Sequence, residues 1–316
     1  MAESESPVLV ADVGGTNTRV ALARGRVLVA GSTERFANAE FDGLQAVLTA
    51  YLERHKSRPA RAAIALAGPV RGTKAEMTNL GWHVDANMLS EAIGIQEVAL
   101  LNDLQAQGHA LAFLPDSHLR IVRTGAPQGD TRLVIGLGTG VNAAPVYSSA
   151  NMHIVPPAEA GHMHLPLMGP EDYRLADWLI ARRGFASVED VLSGAGLERL
   201  YAFHAQEAHS GQTLGASAIM AAIETGDALA QATGRHYIRL LAQVSAGLAL
   251  VTLPTRGIYF IGGVARAFGP WLERFGFERA FTNMGRFSDL VAQFPAAIVE
   301  DDFAALSGCA AYLCKE

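Results

Sequence analysis

The sequence predicts an α/β protein of two lobes, and three observations carry the prediction. Two apolar strands, one beginning at Val8 and one at Leu133, each run into a glycine turn and out into a second strand, about 120 residues apart. A third strand, Ile258–Ile261, ends in Gly262-Gly263 ahead of a helix-like stretch. At about 150 residues per domain, 316 residues supply two cores.

Composition narrows the class further. Hydrophobic residues are 50% and charged ones 18%, the balance of a chain that buries a core. Lys plus Arg is 25 against 31 for Asp plus Glu, a net charge of −6 with no block of like charges. That argues against a nucleic-acid surface or a polybasic membrane anchor. No run of about 18 apolar residues predicts a membrane span. The opening MAESESP is acidic and polar where a secretory leader is basic and then apolar, so a cytoplasmic protein is expected. The two cysteines, Cys309 and Cys314, project roughly 140° apart on a helix, which excludes a disulfide framework, and a Cys-rich zinc module needs more of them.

Taken in order, PVLVADVGGTNTRVALA gives a buried strand Val8–Ala11, then Asp12, a turn from Gly14 to Thr18, and a second strand Arg19–Ala23. A P-loop or dinucleotide fingerprint needs a helix directly after its glycines, and none opens here. Bare N–H groups of a glycine hairpin still approach phosphate closely. Asp12 is either a turn residue or a group facing a ligand. Ala62–Ala67 is an Ala-rich strand. EVALL, Glu97–Leu101, is a strand ending at Asn102-Asp103, with a helix from Leu104. Asp103 there is either a helix cap or a carboxylate placed for general-base chemistry. LVIGLGTGVNAAPV repeats the hairpin around Gly138-Thr139-Gly140, so each half presents one phosphate loop to a shared cleft. Glu159 and His162 share one loop in AEAGHMHL. The His162-x-His164 pair lacks nearby cysteines or a second His pair, so His164 reads as structural. Ser217–Leu253 predicts two helices broken near Thr225-Gly226-Asp227. The tail Asp301–Leu313 predicts a helix, with Phe303, Leu306, Ala310 and Leu313 as its apolar stripe.

Seven segments in this order, LVADVGGTNTRVAL, AGPVRGTKAEMTN, LNDLQAQGHAL, GLGTGVNAA, EAGHMHLP, VEDVLSGAGLERLY and GIYFIGGVA, make the chain resemble the bacterial glucokinases from residue 8 to the C-terminal helix. The resemblance implies the two-lobed actin-like ATPase (ribonuclease H-like) fold. Its cleft would lie between a small α/β domain, residues 1-112 with 300-316, and a large one, 113-299. It implies transfer of the γ-phosphate of ATP to the 6-hydroxyl of D-glucose, with Mg²⁺, in a homodimer. Asp103 is the implied catalytic base. Asn79, Asn102, Asp103, Glu159, His162 and Glu189 are implied sugar contacts; the E-x-V-L-S-G spacing selects Glu189 over its neighbour Asp190. For the nucleotide the resemblance implies Ala11, Asp12, Val13, Gly14, Gly15, Thr16 and Asn17 in one phosphate loop and Gly138, Thr139 and Gly140 in the other. Gly262 and Gly263 match the adenosine motif. Asp12 would meet Mg²⁺, directly or through water.

Three departures from the family pattern stand out. Val141-Asn142-Ala143-Ala144-Pro145 follows the second phosphate turn where relatives carry Leu-Gly-Val, and Pro145 is expected to alter that hairpin arm. Leu104 replaces a common aromatic and reads as packing. Ala160 replaces a frequent glycine after Glu159. The VNAAPV arm leaves room for a sugar-sensing regulator with weak turnover. A kinase for another hexose, or one using ADP or polyphosphate, is the other alternative.

Overall fold

The computed structural model describes residues 6–77, 80–149 and 152–314. The chain divides into two compact units, Met1–Pro115 with Ser148–Pro157 and Asp301–Glu316, and Asp116–Tyr147 with Ala158–Glu300.

The first unit is built on a sheet in the order Val27–Leu28, Asn17–Arg24, Val8–Val13, Arg61–Leu66, Glu97–Asn102, with Glu34–Ala37 also paired to Asn17–Arg24. Val8–Val13 is antiparallel to Asn17–Arg24 and parallel to Arg61–Leu66, which is in turn parallel to Glu97–Asn102. Helices cover both faces, so the central strands read as unbroken apolar runs. Leu9, Ala11 and Val13 pack with Leu44, Val47, Leu48 and Tyr51 of helix Leu44–His55. Val8 and Val10, pointing the other way by the two-residue period, pack with Leu306, Cys309, Ala310 and Leu313. Those belong to the C-terminal helix, which runs Ala304–Leu313. Phe303 precedes its first turn and stays 43% exposed, so the apolar stripe expected from the sequence lacks its first member.

The second unit repeats the plan. Its sheet runs Leu119–Arg123, Ala296–Val299, Gly257–Ile261, Arg132–Leu137, then the strand that begins at Val141. Arg132–Leu137 again pairs antiparallel with the strand after its glycine turn and parallel with Gly257–Ile261, which is parallel to Ala296–Val299. Each unit therefore has a hairpin followed by two parallel neighbours. The expected disruption at Pro145 does not occur. The pairing holds from Leu137 opposite Val141 to Arg132 opposite Val146, with Pro145 opposite Leu133. Pro145 shares its side of the strand with Val141 and Ala143, whose N–H groups donate to the side chains of Glu189 and Asn142 and not to strand Arg132–Leu137, so its missing N–H costs that ladder no bond.

The two expected helices are Ala216–Thr225 and Ala228–Thr252, broken by Gly226 at φ +88° and restarted by Asp227, whose carboxylate accepts from the Ala230 N–H at 2.8 Å. The sequence carries no signal that Ser148–Pro157 belongs to the first unit. Gln105 donates to the Val155 carbonyl at 2.8 Å, and Phe113 meets His153 edge-on. Among the described residues no helix is long and apolar enough to cross a membrane.

Candidate active site

In the first unit three parallel strands end side by side. Val13 lies opposite Leu66, and Leu66 opposite Asn102. At about 4.8 Å between neighbouring strands, the first glycine turn and Asn102-Asp103 are separated by roughly 10 Å. Ligands of open α/β sheets bind at this end, beyond the carboxyl termini of the strands.

The glycine turn is held from beneath. The Gly14 N–H donates to the Asn17 carbonyl at 3.0 Å, closing the hairpin. Asn38, buried, donates to the Gly14 carbonyl and accepts from the Thr18 hydroxyl, both at 2.8 Å, while its own N–H donates to the Thr16 carbonyl. Gly15 and Thr16 are left exposed at the tip. Ala11 and Val13 point into the core, so any nucleotide contact from them is through the backbone. Asp12 is half-buried, with Arg19 at 3.7 Å. Burial raises its carboxyl pKa above the ordinary range, and the Arg19 charge pulls the other way. Mg²⁺ takes one or two carboxylates and keeps several waters, so Asp12 could hold it only if the ion displaced or shared the Arg19 contact.

Helix Asp103–Ala110 starts where the strand ends. Its cap is Asn102 and not Asp103: Asn102 accepts from the Leu104 N–H at 3.0 Å and Gln105 reaches back to the Asn102 N–H at 3.2 Å. The second end of the Asn102 amide donates to the Gly68 carbonyl at 3.1 Å. Asp103 is the first helical residue, half-buried, and one of its oxygens also accepts from the Leu104 N–H at 2.8 Å. Leu104 is buried packing. Asn79 lies outside the described residues.

In the second unit the other predicted groups gather around the turn Gly138-Thr139-Gly140. The Gly138 N–H donates to the Gly140 carbonyl at 3.0 Å, and its carbonyl accepts from the Gly194 N–H at 2.8 Å. Ser193 caps helix Gly194–Glu207 through the Gly196 N–H. The Glu189 carboxylate accepts from the Val141 N–H at 2.8 Å and lies against Gly140. Asp190 does different work. It is buried, accepting from both the N–H and hydroxyl of Ser187 and from Arg183 at 3.1 Å. Burial alone would raise its pKa; the Ser187 and Arg183 hydrogen bonds and the Arg199 charge outweigh that and hold it below the usual carboxylate value.

The loop bearing Glu159 and His162 is fastened to the same hairpin. Asn142 accepts from the Ala160 N–H at 2.9 Å and donates to the Ala158 carbonyl at 2.5 Å. Gly161 sits so close that a Cβ would come within 1.9 Å of the Val141 carbonyl oxygen. Glu159 and His162 themselves are exposed. His164 is bridged to Ser187 and packs against the Phe185 ring, a structural role. Gly262 follows strand Gly257–Ile261 at φ +98°, ψ 168°, with the Leu137 carbonyl 2.3 Å from where a Cβ would stand; Gly263 begins the next helix.

The predicted residues thus form two sets. The first unit holds the first glycine turn, Asn102 and Asp103; the second holds the other turn, Glu159, His162, Glu189 and Gly262-Gly263. Sequence reasoning missed Asn38 and Asn142, the two amides that fix the loops. Asn38 carries no motif. Asn142 stood inside VNAAPV, where attention fell on Pro145.

Paired strand–glycine–strand hairpins, each with two parallel strands beside it, define the class: a two-lobed kinase of the actin-like ATPase fold. The glucokinase family profile matches residues 9–316, and the chain belongs to that family. A glucokinase from Pseudomonas aeruginosa is 35% identical over 299 residues, covering 90% of this chain and 87% of its own. A crystal structure of glucokinase from an Antarctic psychrotroph is 29% identical, with a TM-score of 0.88 over 98% of this chain and 99% of that one. The ROK family glucokinase from Streptomyces griseus in complex with glucose and AMPPNP, at 22% identity, shares the fold with a TM-score of 0.63 over 98% and 99% of the two chains.

Proposed function

We propose a residue-level mechanism for the glucokinase activity that family membership gives this chain: Asp103 takes the proton of the glucose 6-hydroxyl as that oxygen attacks the γ-phosphorus of ATP. The O6–P bond forms, the bond to the β-phosphate oxygen breaks, and glucose 6-phosphate and ADP leave. The observation that carries the reading is the position of Asp103, in the first turn of a helix and about 10 Å along the strand ends from the first glycine turn.

The sugar is assigned to Asn79, Asn102, Asp103, Glu159, His162 and Glu189. Hydroxyls buried without partners cost roughly 1–3 kcal/mol each, so a hexose needs several such groups. The phosphates are assigned to backbone N–H groups of Gly14, Gly15 and Thr16 and of Gly138, Thr139 and Gly140, and the nucleoside to Gly262-Gly263. Mg²⁺, held at Asp12, would offset phosphate charge. The homodimer is carried with this reading; Tyr173 and Ile180, 56% and 49% exposed two turns apart on one helix, give it an apolar surface. A cytoplasmic setting suits two free cysteines.

Steady-state ADP release with a panel of hexoses and with ATP, ADP or polyphosphate as donor tests the substrate assignment. Asp103→Asn should lower turnover by about 10²–10⁴-fold while glucose still binds. Turnover within tenfold of the wild type removes Asp103 as the base.

A further inference from the structure

A second polar cluster lies in the second unit, built from none of the residues assigned above. Three helices supply it: Glu171 and Asp172 from Pro170–Arg183, His204 from Gly194–Glu207, and His236 from Ala228–Thr252. His204 is ten residues beyond Gly194, roughly 15 Å down the helix from the second glycine turn. His204 and His236 are both buried, 9% and 3% exposed, and Asp172 is fully so.

The two imidazoles face each other nitrogen to nitrogen, His204 Nε2 to His236 Nδ1 at 3.1 Å. Glu171 Oε2 is 3.6 Å from the same His236 Nδ1. These three donor atoms lie within 4.8 Å of one another. Ligand atoms bound at 2.0–2.2 Å to a tetrahedral ion stand about 3.3–3.6 Å apart, and the His204–His236 and His236–Glu171 separations fall within a few tenths of an ångström of that range. The far side of His236 is fixed as metal-binding histidines usually are: Nε2 meets the Asp172 carboxylate at 2.9 Å, which places the proton there and turns the Nδ1 lone pair toward His204. Arg239 holds the carboxylates in place, donating to Asp172 at 2.7 Å and to Glu171 at 3.1 Å. With Arg239 counted, the cluster carries a net charge of −1 while both histidines are neutral.

We propose that Glu171, His204 and His236 bind one divalent transition metal of the zinc class, with Asp172 as the supporting carboxylate. Two imidazole nitrogens and one carboxylate oxygen are a borderline donor set, which favours zinc over magnesium or calcium. The three groups leave a fourth position open, and the half-exposed Glu171 gives the ion its way in. Without metal, the single proton between the rings sits on His204 Nε2 and bridges to His236 Nδ1. On binding it moves to His204 Nδ1, so both rings ligate as neutral imidazoles. The ion ties three helices of one unit together and takes no part in phosphoryl transfer.

The test uses the full chain, freed of metal with a chelator and titrated with Zn²⁺ by equilibrium dialysis against a competing chelator. One Zn²⁺ per chain should bind, with a rise in unfolding temperature, and Co²⁺ should give the intense visible absorption of a tetrahedral site. His204→Asn should abolish that binding. Glu171→Gln, at a half-exposed position where folding is safe, should weaken it about 10–100-fold. Glucose phosphorylation measured with Mg²⁺ should stay unchanged in both variants. Binding below one equivalent in the wild type overturns the site, as does a Glu171→Gln protein that binds Zn²⁺ like the wild type. Either result leaves the two rings as a dry hydrogen-bond chain, and neither touches the kinase assignment.

Discussion

Glu189 and Val141 are joined by a single hydrogen bond, carboxylate to backbone N–H at 2.8 Å, that ties a sugar-loop acid to the arm of the second phosphate turn. A group assigned to glucose and a loop assigned to ATP therefore share one atom-to-atom link. Hydrogen bonds to charged groups contribute about 1.5–3 kcal/mol, and the N–H left behind by a truncation adds its own desolvation cost. Glu189→Ala should raise the KM for glucose by about 10–100-fold and also the KM for ATP. Glu189→Gln keeps an acceptor for Val141 and should disturb ATP far less than glucose. Equal effects of Ala and Gln on the ATP KM would show that the bond to Val141 carries no coupling.

Asn38 offers the complementary case, acting on the nucleotide side alone. Its amide joins Gly14 to Thr18 beneath the first glycine turn. Asn38→Ala should cost about 1–3 kcal/mol of stability by stranding the Thr18 hydroxyl and the Gly14 carbonyl. Its kinetic effect should be a higher KM for ATP with the KM for glucose near that of the wild type. Denaturant unfolding and two-substrate kinetics measure both, and a matching rise in the glucose KM would speak against a role confined to this loop.

The strands and their glycine turns were legible in the sequence because buried parallel strands leave continuous apolar runs and hairpins leave glycine between them. The repeat of that pattern at Val8 and Leu133 carried the fold. What holds the turns was not legible. Asn38 and Asn142 act through contacts 24 and 18 residues away in sequence, to Gly14 and Ala160, and a lone amide has no periodicity to mark it. The same limit applies to Pro145, whose effect depends on its place in the ladder. For Glu189 and Asp190 the pattern favoured the first residue, and the structure supplies the physical distinction: one carboxylate reaches the hairpin while the other is consumed by Ser187 and Arg183.

The buried Asp190 also sets an acid limit on the second unit. Its pKa is lowered in the folded protein, so it contributes stability above the unfolded value of about 3.9 that is lost as pH falls through the folded value. Asp172, held low by hydrogen bonds from His236 and Arg239 against the opposing effect of burial, adds to the same loss. Unfolding free energy should therefore drop steeply below about pH 4. Asp190→Asn should be less stable at pH 7 and lose less on acidification. Urea unfolding at pH 7 and pH 3.5 reads both, and an identical pH slope for the variant would mean that Asp190 is not linked to folding.

Gly262 and Gly263 look interchangeable in the sequence and are not. At φ +98°, ψ 168°, Gly262 occupies a region that side chains avoid at about 1–3 kcal/mol, and a Cβ would strike the Leu137 carbonyl oxygen at 2.3 Å. Overpacking against that backbone adds roughly another 1–3 kcal/mol. Gly263 is the first residue of a helix, and a Cβ there meets nothing within 4 Å. Gly262→Ala should lower the unfolding temperature sharply. Gly263→Ala should leave it unchanged or slightly raised, since alanine is the better helix former. If the second variant keeps its stability yet raises the KM for ATP, the free space over Gly263 is the nucleoside's. An unchanged ATP KM in a stable Gly263→Ala protein moves the nucleoside off this pair.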